Sequence, residues 1–182
     1  MAAGLKLIKL TKDYEKQLRE MLDEWKAELE RTGAKPIPAP LFRNDPFDIG
    51  RYIDGLEYKT PTEAMVPDSV FFLYDSERDI LIGAVHIRHY LNDTLRKWSG
   101  HIGIGIRPSE RRRGHASEML RLALAECKKL GIDRVQITCD KENKGSVGAI
   151  VKNGGTIECE FLSPEGKERQ RYIIDIRQMI IS

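Results

Sequence analysis

Arg111, Gly114 and Ala116 stand in the spacing R-x-x-G-x-A within "GIRPSERRRGHASEML", with Arg112 and Arg113 between the first two. These residue types suit a diphosphate. A helix that opens here leaves the N–H groups of its first turn unpaired, and its dipole favours an anion at that end. Small residues at 114 and 116 let a bound group approach that backbone, and the three guanidinium groups add charge that pairs well with phosphate oxygens. The competing reading of the arginines is a solvated charge run. The motif is not a P-loop, which needs GxxxxGK[ST], and not a dinucleotide fingerprint, which needs GxGxxG.

The element that must deliver this turn is "HIGIGIR", a strand over 101–107. Alternate residues of a strand face opposite sides. Ile102, Ile104 and Ile106 form an apolar core face. His101, Gly103, Gly105 and Arg107 form the other, which is reduced to backbone at two successive positions. Paired glycines on one face mark either an open cleft that a ligand enters or a place where another element packs closely. Pro108 ends the strand. Ser109 and Glu110 are placed to begin a helix over 109–131, whose stripe Ala116, Met119, Leu120, Ala123, Cys127 and Leu130 packs on the sheet.

The remaining elements frame this unit. "LKLIKL" (5–10) reads as a strand. A helix follows, capped by Thr11, carrying Tyr14, Leu18, Met21, Leu22, Trp25 and Leu29 at helical spacing and stopped by Gly33. A proline-rich loop precedes a shorter helix within 47–60. Residues 70–91 form a hairpin, and 92–100 a connection with a helical turn. A strand over 134–140, a short helix over 145–155 and a final hairpin over 156–178 complete the chain. Strand, long helix and strand over 101–140 make a crossover unit, so its two strands are expected parallel and right-handed. The fold class is α/β (α+β), a mixed sheet with helices packed on it, in one domain over 1–182.

Composition narrows the function. The chain has 182 residues, 41% hydrophobic and 32% charged, with a net charge of +2. That is a globular balance with enough apolar material for one core. The near-neutral charge argues against a wholesale nucleic-acid binder, and the arginine run carries no interleaved aromatics. Cys127, Cys139 and Cys159 show no metal-ligand spacing, so no metal is expected, and an odd count suits a reducing compartment. No signal peptide or membrane span is read, and a cytoplasmic protein is expected.

The strand "IGIGIRP", R-x-x-G-x-A opening a long helix, the strand "VQITCD" and the downstream "N…S…VKNGG" together resemble the GNAT superfamily of acyl-CoA-dependent N-acyltransferases over roughly residues 70–177. The resemblance implies a mostly antiparallel sheet with a central, splayed parallel strand pair and helices on both faces. It implies acetyl-CoA as donor. The pyrophosphate would lie on Arg111, Arg112, Arg113, Gly114, His115, Ala116 and Ser117. The pantetheine arm would run along Ile104, Gly105 and Ile106, with Asn143 reaching it; Asn143 also reads as an ordinary helix cap. Many members carry a tyrosine on the next helix as acid for the departing thiolate. Ile150 stands there, which leaves Ser146 or Tyr172 as donors.

Acyl transfer to an amine needs a proton acceptor, a polarised thioester carbonyl and close placement of both reactants. A backbone N–H near Ile106 is the family-implied carbonyl donor. For the base, His101 begins the glycine face and titrates near working pH, with a structural role as the competing reading. His86 sits between Val85 and Ile87 and reads as packing, while Arg88 or His89 is open to an acceptor cleft. His115 reads as a cofactor contact. Residues 33–66 are expected to be an acceptor-site insertion, where Arg43 and Arg51 hint at an anionic group on the acceptor. The function expected is N-acetylation of a primary amine on a small molecule or amino acid. Partners are then a small-molecule amine, no nucleic acid and no membrane, and the chain is compatible with a homodimer. The missing tyrosine keeps a non-catalytic acyl-CoA-binding module as the alternative.

Overall fold

The computed structural model describes residues 4–177. The end of the last expected strand, at Gln178, lies outside the described residues. Among the described residues, seven strands and five α-helices follow one another as β1 (Leu5–Ile8), α1 (Glu15–Thr32), α2 (Ile49–Asp54), β2 (Asp68–Asp75), β3 (Ile80–Arg88), α3 (Asp93–Trp98), β4 (Ile102–Ile106), α4 (His115–Lys129), β5 (Arg134–Asp140), α5 (Lys144–Lys152), β6 (Thr156–Leu162) and β7 (Glu168–Asp175).

The strands form two antiparallel groups, in the orders β1-β2-β3-β4 and β5-β7-β6. β4 and β5, expected as a splayed parallel pair, are joined by no ladder among the described residues. Among the described residues, hydrogen bonds join the two groups at His101 and Gln136. The His101 N–H donates to Gln136 O at 2.7 Å, and the Gln136 N–H donates to His101 Nδ1 at 3.0 Å. Gly100 makes this junction possible: its φ is +118°, and a Cβ there would lie 2.5 Å from Gln136 O.

Helices cover both faces, as their apolar stripes require. Leu18, Met21, Leu22 and Trp25 of α1 pack on Val70, Phe72 and Ala84. Met119, Leu120, Ala123, Leu124 and Cys127 of α4 pack on the opposite face with Ile82, Val85, Ile102, Ile106, Val135 and Ile137. α1 begins after a short 3-10 turn at Lys12–Tyr14, and Gly33 closes it in the left-handed conformation, φ 65°. Thr11 precedes that turn without a side-chain capping bond.

The long helix is shorter than its sequence suggests. A 3-10 turn spans Pro108–Glu110, and α4 starts only at His115. Ser109 and Glu110 do not cap it. The Glu24 carboxylate on α1 accepts from the Ser109 N–H and, at 3.0 Å, from its hydroxyl. Glu110 is buried and takes both guanidinium nitrogens of Arg78, at 2.9 and 3.0 Å. These carboxylates hold the turn apart from the helix.

Candidate active site

The site begins at the end of β4. Arg88 N–H donates to His101 O and Arg107 N–H donates to Ile82 O, so 101 and 107 are hydrogen-bonded pairs with β3. Antiparallel pairs alternate. In the register that joins Gly103 to His86 and Gly105 to Ala84, the odd residues aim their backbone at β3. Ile102, Ile104 and Ile106 aim theirs away, toward β5. β3 is the only ladder partner of β4 among the described residues, which leaves that edge of the backbone open.

One acceptor on this edge is occupied. Arg111 Nε donates to Ile106 O at 3.0 Å, while its two terminal nitrogens grip the Glu28 carboxylate at 2.5 and 2.6 Å. The first arginine of the run is thus a brace between α1 and the strand end, not a free phosphate ligand. Arg113 lies 3.8 Å from Glu110, and His115 Nε2 lies 3.3 Å from the same carboxylate. Arg78 first, then burial opposed by Arg113 and His115, holds that carboxyl below its usual range. Of the three arginines, Arg112 alone has no carboxylate partner among the described residues.

The backbone of this turn is more telling than its charges. Arg112 has φ 60° and Gly114 φ 84°. Left-handed residues interleaved in a tight turn aim successive N–H groups into a concavity that suits an anion. The first N–H in the turn with a backbone acceptor beyond Arg111 is Ser117, which donates to Gly114 O at 3.1 Å. The N–H groups of residues 112–116 have no protein acceptor among the described residues. Ser117, expected to lend its N–H, has spent it inside the helix. Its carbonyl and hydroxyl instead receive Asn153 Nδ2, at 3.0 and 3.2 Å. Asn153 is buried and also donates to Ala149 O at 2.8 Å, so it pins the end of α5 to the first turn of α4. Sequence reasoning missed this residue, whose only signal was its place in "VKNGG".

The glycine face divides between the two readings. A Cβ on Gly105 would lie 2.2 Å from Ile37 O and 2.8 Å from both Pro38 Cδ and Trp25 Cζ2. Here another element packs closely, and that element is the loop at the cis Ile37–Pro38 bond. A Cβ on Gly103 would meet nothing within 4 Å. Of the two glycines, Gly103 therefore faces open space, with His86 beside it across the ladder.

The proposed acid and base residues lie in varied settings. His101 is part of the joint between the sheet groups, and its Nδ1 is consumed by the Gln136 N–H. Burial, then the charges of Arg96 and Arg88, push its pKa down to about 4. A base of that strength, with one nitrogen engaged, is placed for holding strands rather than for accepting a proton. Tyr172 is 1% exposed in the core, and its hydroxyl donates to Gln170 Oε1 at 2.7 Å. That burial, which raises its pKa, removes it from any solvent-facing cleft. Asn143 caps α5 by accepting the Ser146 N–H at 3.0 Å, the ordinary role. Ser146 is half-buried, and its hydroxyl makes no hydrogen bond among the described residues. Ile150, one turn on, is buried core.

In the 33–66 segment, Arg43 stacks on Tyr58 at 4.1 Å and reaches Asp68 at 3.5 Å, so its charge is committed internally. Arg51 is exposed. His89 Nε2 pairs with the Ser69 hydroxyl at 3.0 Å, and Arg88 donates to Gly100 O at 2.9 Å.

An open strand edge here runs into a concave row of free N–H groups at a helix start, an arrangement that suits an extended ligand ending in a diphosphate. The family model "Acetyltransferase (GNAT) domain" matches residues 15–156, and the chain belongs to that family. It is similar in fold to a GNAT-family acetyltransferase from Bacillus anthracis, at 20% identity and TM-score 0.65, with 96% of each chain covered. It is also similar to the microcin C7 self-immunity acetyltransferase MccE, solved with acetyl-CoA and AMP, at 16% identity and TM-score 0.66, covering 96% of this chain and 93% of that one. A third is the ribosomal-protein-S5-alanine acetyltransferase from Vibrio fischeri, at 11% identity and TM-score 0.71, covering 98% and 96%. No curated protein sequence matches. The chain is thus an acetyl-CoA-dependent acyltransferase.

Proposed function

We propose that the protein transfers an acetyl group from acetyl-CoA to a primary amine of a small molecule or amino acid, in a single domain whose segment 33–66 walls the acceptor side. The observation that carries this reading is the continuity of the β4 edge with the N–H groups of residues 112–116. Acetyl-CoA supplies an activated acyl group on a thiol leaving group. The residues present fit it. The free N–H row and Arg112 suit its pyrophosphate, and the edge at Ile104 and Ile106 suits a strand-like arm with amide groups.

Within that reading, the Ile106 N–H is the donor to the thioester oxygen. Asn143 keeps its side-chain NH2 for the arm while its oxygen caps α5. The Ser146 hydroxyl donates to the departing sulfur, the task that tyrosine performs in many family members. Arg111, Glu28 and Asn153 shape the cradle without entering it.

Titration calorimetry with acetyl-CoA, followed by thiol release against a panel of free amino acids, amino-acid amides and short peptides beginning with serine or alanine, tests the proposal. Saturable binding and release with at least one free amino acid or amide are expected. Absence of acetyl-CoA binding overturns the reading. Turnover restricted to the peptides moves the acceptor to protein amino termini; the Vibrio fischeri neighbour is named for an alanine of ribosomal protein S5.

A further inference from the structure

The core beside Gly103 holds a hydrogen-bonded histidine–carboxylate pair for which packing gives no reason. His86 Nε2 lies 2.7 Å from Asp68 Oδ2, with the two side chains 4% and 1% exposed. Asp68 also accepts the Tyr58 N–H at 2.7 Å and has Arg43 at 3.5 Å. Partners on this scale keep a carboxyl ionised. Burial raises its pKa, but His86, Tyr58 and Arg43 outweigh that and leave it lowered. An ionised Asp68 must receive a proton at the His86 contact, so the neutral ring carries its hydrogen on Nε2. Nδ1 is then the basic nitrogen.

The register says where the ring stands. His86 and Gly103 are direct partners across β3 and β4, so His86 rises from the same face on which Gly103 has no side chain. That face continues to Ala84 and Gly105 on one side, under the Ile37–Pro38 loop, and to Arg88 and His101 on the other. Between those two neighbours a Cβ at Gly103 would meet no atom within 4 Å. It adjoins the β4 edge at Ile104, where the acyl donor is placed above.

We infer that His86, oriented by Asp68, is the proton acceptor for an amine that binds over Gly103. This rests on the acetyl-transfer reading. As the nitrogen–carbon bond to the acetyl group forms, the carbon–sulfur bond breaks with its electron pair staying on sulfur. The proton lost by the amine passes to Nδ1 of His86. The departing sulfur, hydrogen-bonded by the Ser146 hydroxyl, takes its proton from solvent, and His86 returns its own to water. Asp68 is a positioning residue: it fixes the tautomer and offsets the charge that His86 gains.

The groups facing the ring are Asp68 from β2, Arg88 from its own strand and Arg43 from the preceding segment. Burial first, then Arg88 and Arg43, hold the His86 pKa down, while Asp68 pulls it up. The ring is therefore neutral and ready at neutral pH, and the rate should fall on the acid side.

Two measurements on the full chain decide this. With the best acceptor of the panel, His86→Gln should lose about a hundredfold or more in kcat while keeping its acetyl-CoA affinity. Asp68→Asn should lose less and shift the acid limb of the pH profile. Since either change can disturb a buried site, retained acetyl-CoA binding certifies the fold. Nitrogen-15 NMR of the histidine rings reads the unmodified chain without any acceptor. His86 should hold the Nε2–H tautomer and shift when CoA S-alkylated with an aminopropyl group is added, and less with CoA alone. Turnover of His86→Gln within threefold of the parent, or a His86 ring blind to the aminopropyl conjugate that does bind, overturns the inference alone. Failure of the conjugate and of acetyl-CoA to bind removes the acetyl-transfer reading, and this inference with it.

Discussion

His101 and Gln136 exchange two hydrogen bonds, backbone to backbone at 2.7 Å and backbone to ring at 3.0 Å, and these close the seam between the two sheet groups. The Gln136 side chain adds a bond to Arg96 O at 2.8 Å. The ring nitrogen replaces the carbonyl that a regular ladder would have offered. Strands that are joined this way at one end and carry no ladder beyond it leave their backbone edges to another partner.

That joint makes stability depend on pH. The folded pKa of His101, about 4, lies below the value near 6.5 of an unfolded chain. Between those values the unfolded state binds more protons, so stability rises with pH across the window. The stabilisation is complete above pH 6.5 and is lost as pH falls to 4, by up to about 3 kcal/mol at about 1.4 kcal/mol per unit. His101→Asn keeps an oxygen that accepts the Gln136 N–H and removes the titration. Thermal melts from pH 7 to 4.5 should show a flatter decline for that variant. His101→Ala leaves a buried N–H unpaired and should cost about 1–3 kcal/mol at pH 7.

Gly105 and Gly103 should respond in opposite ways to the same substitution. Gly105→Ala places a Cβ 2.2 Å from the Ile37 carbonyl oxygen, a backbone atom that yields only if the 33–66 segment shifts. A loss of several kcal/mol, on the scale of severe overpacking, is expected in a denaturant melt. Gly103→Ala meets no atom and should leave stability within about 0.5–1 kcal/mol of the parent. Its methyl group enters the space assigned to the acceptor, so KM for the amine should rise with acetyl-CoA affinity unchanged.

Much of this was legible in the sequence, because it is local. The period of α1, the strand alternation at 102–106 and the small residues at 114 and 116 need no distant partner to be read. The rest depends on residues far apart in the chain. Whether Gly105 faces ligand or protein is decided by a loop nearly seventy positions earlier. The start of α4 is displaced to His115 because Glu24 and Arg78, on other elements, take Ser109 and Glu110. His86 reads as packing by its apolar neighbours alone, and only the register with Gly103 and the approach of Asp68 give it another meaning.

Asn153→Ala should separate cradle shape from cradle charge. Its side-chain NH2 is shared among Ser117 O, Ser117 Oγ and Ala149 O, all within 3.2 Å. Removal unties α5 from α4 and costs about 1–3 kcal/mol, the range for losing a buried polar link. The first turn of α4 then moves more freely, and acetyl-CoA affinity should fall by about tenfold, a typical coupling of about 1.4 kcal/mol. Calorimetry should place that loss mainly in the entropy of ordering the turn.

The arginine run yields the sharpest contrast. Arg111 spends its whole guanidinium on Glu28 and Ile106 O, so Arg111→Ala strands a carboxylate on α1 and a carbonyl at the strand end. Its main effect should be on the melting temperature. Arg112 has no carboxylate partner among the described residues and stands where the backbone turns left-handed. Arg112→Ala should leave the melt within about 0.5 kcal/mol and weaken acetyl-CoA by about three- to tenfold. The loss should shrink at 0.5 M salt, where an exposed charge contact is largely screened. A salt-independent loss at Arg112, or a larger affinity loss at Arg111 with an unchanged melt, would reverse these two assignments. Three like residues in a row thus divide by what α1 and the 3-10 turn present to them: the first grips Glu28, the third leans on Glu110 at 3.8 Å, and the second, with no carboxylate partner among the described residues, is the one proposed for the anion.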